Sequence, residues 1–175
     1  MSINYGYDKR FLENPNADLS IKYSLSRSEQ MICMQLAFMR EQISRAVGRV
    51  DQKIGSQSGW DTDLQGIGGE FAAAKIYNVY PNMELKPDSG YDLIINNKKV
   101  DVKTTEYKTG KLLSKLNARL EEVDIFMLVV GKFPDFKLIG WTHAGTLCKE
   151  DNIMDLGRGP GYAMNQRYLN KEEIK

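Results

Sequence analysis

A chain of 175 residues, 42% hydrophobic and 27% charged, is long enough to close one core and ordinary enough in composition to be globular. Its net charge of +1 carries no gross attraction for nucleic acid, so any basic surface has to be local. Two cysteines and a single histidine, His143, exclude a disulfide framework, a four-thiolate zinc site and any centre built on several histidines.

Met1 to Asp8 carry no apolar stretch of signal type, and no later run is long enough to span a bilayer. The expectation is a soluble, cytoplasmic chain without a membrane partner. The first 25 residues are polar and turn-rich, with Asn14-Pro15-Asn16 in the middle, and read as an irregular lead-in. From Ser28 to Val47, Ile32, Leu36, Met39, Ile43 and Val47 recur at helical spacing, with Ser26 or Ser28 available as a cap. This amphipathic helix is expected to pack on the body, and it also suits pairing into a homodimer. A glycine and serine cluster, Gly55 to Gly59, sets a soft boundary: residues 1–58 as lead-in and helix, 59–175 as the core domain of one compact unit.

Gly66, Gly68 and Gly69 open a second expected helix, on which Ile67, Phe71 and Ala74 are spaced for one face. They do not form a dinucleotide loop, because Phe71 stands where a third glycine is needed and no buried strand precedes them. Glycines that let a helix lie close to a sheet are the better reading. Strands are expected at Met83–Lys86, Tyr91–Ile95, Lys99–Thr105, Ile125–Gly131 and Phe136–Trp141. Between Gly110 and Val123 the leucines permit a helix, although Leu112-Leu113 could begin a short strand. Gly157 to Gly161 then form a glycine-rich turn before a last short element. The pattern indicates an α/β or α+β domain around one central sheet.

Asn96-Asn97 suits a two-residue hairpin turn, because asparagine tolerates positive φ. That loop pairs Ile95 with Lys98, Ile94 with Lys99 and Leu93 with Val100, and continued regularly it sets Asp92 against Asp101. Lys103 emerges on the face of Asp101, since side chains alternate along a strand. Two facing carboxylates repel, and a divalent cation with hard oxygen ligands removes the repulsion. An acidic residue two before a lysine also occurs at Asp51, Asp135 and Glu173, so the tripeptide carries little by itself. The apolar setting, the register to Asp92 and Glu70 on the upstream helix favour a metal site over an exposed salt-bridge ladder. Pro87-Asp88 precedes Ser89-Gly90, and Asp88 reads as a turn residue.

Glu70 in Gly-Gly-Glu, then Asp92 after Tyr91, then Asp101-Val102-Lys103-Thr104-Thr105, resemble the PD-(D/E)XK nuclease superfamily, and its phage and bacterial members in particular. The resemblance spans roughly residues 65 to 142. It implies a restriction-endonuclease-like core, a central mixed sheet flanked by helices in the order αβββαβ, here with an extra N-terminal helix. It also implies Mg²⁺- or Mn²⁺-dependent hydrolysis of phosphodiesters, in DNA ahead of RNA, and a host-cytoplasmic setting for a phage-encoded member. Asp92, Asp101, the Val102 carbonyl and Glu70 would hold the metal, and Lys103 would position water and phosphate. Lys108, Lys111, Lys115 and Arg119 follow the third strand, and Arg158 sits in the glycine-rich turn; these are the candidate phosphate contacts. The alternative is an inactive module of the same fold that binds nucleic acid or a protein.

Overall fold

The computed structural model describes residues 21–46, 59–85, 90–118, 120–157 and 159–175. It is an α+β fold. A five-stranded mixed sheet holds β1 (Ile21–Ser24), β2 (Leu93–Ile95), β3 (Lys98–Thr105), β5 (Ile125–Lys132) and β6 (Asp135–His143), in the order β1-β6-β5-β3-β2. Only β3 and β5 run parallel; the other neighbours are antiparallel. A smaller antiparallel sheet joins β4 (Leu112–Lys115), β8 (Pro160–Met164) and β7 (Ile153–Asp155). The helices are α1 (Arg27–Ala46), α2 (Gly59–Ile76) and the short α3 (Ala144–Leu147), with 3₁₀ turns at Glu150–Asn152 and Gln166–Tyr168. Among the described residues no helix is long and apolar enough to cross a membrane.

The central strand explains the two cores. All six residues from Ile125 to Val130 are buried. Ile125, Met127 and Val129 join the α1 and α2 side, while Phe126, Leu128 and Val130 join Leu112, Leu147 and Met164 on the other. A strand covered on both faces reads as a continuous apolar run.

Helix α1 starts with a capping box. The Ser26 hydroxyl accepts from the Glu29 N–H at 3.3 Å, and the Ser26 N–H donates to the Glu29 carboxylate at 2.8 Å. Its inward face differs from the expected stripe. Cys33, Leu36 and Ala37 are the buried residues, whereas Ile32 and Met39 are exposed and Val47 lies outside the described residues. Cys33 and Ala37 are small, and with Leu36 they share one buried cluster with Ala72 to Ala74 of α2, the helix that α1 packs against.

Three other expectations shift. Residues 21–24 of the lead-in form an edge strand on β6, from Ile21 opposite Leu138 to Ser24 opposite Asp135; residues 1–20 lie outside the described residues. Residues 83–85 are not a strand. The 110–123 segment takes the strand option, because Leu112 and Ser114 bury with period two against β8. The β3-to-β5 crossover therefore carries a strand where a helix is usual, tertiary pairing overriding propensity.

The glycines of α2 lie within the helix rather than at its entrance. A Cβ at Gly69 would overlap the Thr104 hydroxyl, and one at Gly68 the rings of Phe133 and Phe136, whereas one at Gly66 would meet nothing. Two alanine variants thus have opposite expected signs. Gly66→Ala should stabilise by up to about 1 kcal/mol through helix propensity. Gly69→Ala should destabilise by about 1–3 kcal/mol through overpacking. Urea melts read both, and equal effects would remove the close-contact explanation.

Candidate active site

The β2–β3 hairpin positions the site. Asn96 and Asn97 adopt φ of 48° and 61°, the left-handed values a two-residue turn requires, and Leu93, Ile94 and Ile95 pair with Val100, Lys99 and Lys98. Regular pairing ends at Leu93. The Asp92 N–H donates to the Val100 carbonyl at 2.9 Å, one residue short of the regular partner, so Asp92 is not paired directly with Asp101. This step re-aims its side chain, as bulges do. The Asp92 carboxylate instead accepts from the Val102 N–H at 2.7 Å.

Strand length is the physical cause. β2 has three residues and β3 has eight, so β3 beyond Val100 has no ladder partner on that edge. The Val102 N–H needs an acceptor there, and Asp92 supplies it. The Val102 carbonyl leaves the strand on the same side as its N–H, toward Asp92. Asp101 and Lys103 form an ion pair at 2.7 Å, with side chains 15% and 39% exposed. The Lys103 ammonium also lies 6.0 Å from the Phe126 ring centre.

Glu70 comes from α2 and is buried. Its partner is Arg40 of α1, 3.4 Å away, which the sequence reading missed. The same guanidinium donates to the main-chain carbonyls of Glu84 at 3.3 Å and Asn82 at 3.4 Å, tying α1, α2 and the loop before β2 together. The available signal was the small-residue face of α1: Cys33, Ala37 and Arg40 share it, and a cation on a buried stripe calls for an anion.

Electrostatics bind these groups into one cluster. Burial raises the Asp92 carboxyl well above the usual carboxylate range, and the charges of Glu70 and Asp101 raise it further, against the Val102 N–H and the Lys103 ammonium. Burial likewise raises Glu70, opposed first by Arg40 and assisted by Asp101. With every group ionised, three carboxylates face two cations, a deficit of one positive charge. The donors are carboxylate oxygens and a main-chain carbonyl, the hard set that suits Mg²⁺ or Mn²⁺. Among the described residues no three His, Cys, Asp or Glu side chains form a ready metal cage. Arg40, the Val102 N–H and Lys103 each engage one of the three carboxylates.

Asp101 and Lys103 are thus in contact, and Glu70 and Asp92 lie within electrostatic range of them. Lys111 and Lys115 flank and end β4 on its exposed side, sharing a face by strand rather than helical period, and Lys108 sits in the exposed turn before it. Asp88, Arg119 and Arg158 lie outside the described residues. His143 packs edge-on against Trp141, with ring centres 5.2 Å apart. No family model, curated protein or solved structure matches the chain.

Proposed function

We propose that the chain is a metal-dependent phosphodiesterase of the PD-(D/E)XK type, acting on nucleic acid, with DNA ahead of RNA. The observation that carries this reading is the docking of Asp92 on the Val102 N–H, beside the Asp101–Lys103 pair and within the field of Glu70. Such an arrangement buries a third carboxyl where desolvation and two like charges disfavour its ionised form, which a purely structural cluster would avoid.

Glu70, Asp92, Asp101 and the Val102 carbonyl would hold Mg²⁺ or Mn²⁺. When bound, the ion supplies positive charge for the phosphate oxygens and lowers the pKa of water. Lys103 is the accessible cation of the cluster, and its ammonium is suited to donate to a phosphate oxygen and orient the attacking water. Arg40 neutralises Glu70 and fixes its position without facing the substrate. The chain departs from the superfamily order twice: residues 83–85 form no strand between α2 and β2, and β4 stands in place of a helix between β3 and β5.

A second reading is a non-catalytic nucleic-acid-binding module, favoured by the fact that protein donors already engage all three carboxylates. Incubation with single-stranded, double-stranded and branched DNA and RNA, with Mg²⁺, Mn²⁺ or EDTA, separates the two. Metal-dependent cleavage supports the enzyme; binding without cleavage of any substrate supports the module.

Both readings place the phosphate grip on the lysines around β4. Replacing Lys108, Lys111 and Lys115 together with alanine should weaken binding and lower the slope of log K against log salt by about 2. An unchanged slope in filter binding moves the groove to another surface.

A further inference from the structure

Strand β3 leads from the candidate site into an exposed turn. Tyr107 stands four residues past Lys103, at most about 13 Å along the chain, and is 74% exposed. The turn is fixed. The Gly110 N–H donates to the Tyr107 carbonyl at 2.8 Å, and the Gln166 side-chain amide donates to the carbonyls of Lys108 at 3.0 Å and Gly110 at 2.8 Å. Gln166 therefore joins this turn to the 3₁₀ segment Gln166–Tyr168. There Tyr168 is 63% exposed, with the Arg167 guanidinium 4.6 Å from its ring centre. Two open aromatic rings, an arginine on one of them, and Lys108 and Lys111 nearby thus collect at the exit of the acidic strand.

Rings and cations in one place match one ligand chemistry. Every nucleobase has a face that stacks on tyrosine, and the cations take the phosphates between bases. A blunt duplex keeps its bases stacked on each other and cannot use the rings; unpaired nucleotides can. We propose that Tyr107, Tyr168 and Arg167, with Lys108 and Lys111, form a stacking platform for unpaired nucleotides, so that the substrate carries a single-stranded stretch beside the bond at the candidate site. The link to a scissile bond rests on the nuclease reading; the platform itself does not.

The test is fluorescence anisotropy in EDTA at low salt, using a labelled single-stranded 20-mer and a blunt duplex of the same sequence. Wild type is expected to prefer the single strand. Tyr107→Ala and Tyr168→Ala should each weaken that binding about tenfold, while Tyr107→Phe keeps it and duplex affinity stays unchanged. Equal affinity of wild type for the two ligands, unaltered binding by both alanine variants, or equal losses on the duplex would overturn the platform. Loss of single-strand binding in the alanine variants, without cleavage of any nucleic acid by wild type in Mg²⁺ or Mn²⁺, keeps the platform and removes the nuclease. Cleavage by wild type with unaltered variant binding does the reverse.

Discussion

Lys103→Met should cut phosphodiester cleavage by about 10²–10³-fold, the usual loss when one preorganised donor to developing charge is removed. On the proposed nuclease reading, Asp101→Asn should cost at least as much, because it would remove a metal ligand along with the partner that orients Lys103. Neither change should unfold the protein. The Asp101–Lys103 pair is partly open to solvent, so its own contribution to stability is about 1 kcal/mol or less. Lys103→Arg separates charge from geometry. It keeps the cation and can still pair with Asp101, but its planar fork cannot place a single donor as an ammonium does. A partial loss in Lys103→Arg with a near-complete loss in Lys103→Met assigns positioning to the ammonium. Single-turnover cleavage with melts of each variant measures all of this. Wild-type rates in Asp101→Asn would sink the enzyme reading outright.

The parts of the fold legible in the sequence were those governed by local chemistry. The Asn96-Asn97 turn set the register of Leu93, Ile94 and Ile95, because two asparagines at positive φ leave few other connections. The unbroken apolar run of Ile125 to Val130 announced a strand, which the structure buries on both faces. What stayed open or failed depended on distant partners. Leu112 has no local reason to prefer strand over helix; β8, some fifty residues later, supplies it. Helix α1 was found, but its inward face was assigned by bulk, whereas the contact with the alanines of α2 selects small residues.

The candidate site divides in the same way. The approach of Asp92 to Asp101 and Lys103 followed from the hairpin alone. Its final detail, the step that aims Asp92 at the Val102 N–H, depends on β2 stopping where β3 continues. Arg40 was invisible for a related reason. It comes thirty residues before Glu70 in the chain, and only the packing of α1 on α2 brings the two together.

The largest thermodynamic effect is expected from Asp92→Asn, with a sign that depends on metal and pH. The amide keeps an oxygen to accept from the Val102 N–H, so the shape is retained while one charge is removed. In EDTA at neutral pH, removing a charge disfavoured first by burial and then by Glu70 and Asp101 should stabilise the variant by about 1 kcal/mol or more. The sign follows from linkage. The folded carboxyl titrates above its unfolded value, so the folded state binds more protons and wild-type stability falls as pH rises. That fall begins near an unfolded carboxylate value of about 4 and continues to the raised folded value. Below this window the aspartic acid is neutral in both states, and the advantage of the Asp92→Asn variant over wild type should vanish. Saturating metal reverses the order. At a hundredfold excess over its dissociation constant, Mg²⁺ or Mn²⁺ should stabilise wild type by about 2.7 kcal/mol, or about 5–10 °C in Tm for a chain of this size. Asp92→Asn should forfeit most of that gain. Thermal melts in EDTA at pH 3 and pH 8, and at pH 8 with metal, give the three values needed. An Asp88→Asn variant completes the set: if it reproduces the pattern and Asp92→Asn does not, the first carboxylate belongs to Asp88 and the hairpin loses its role in the site.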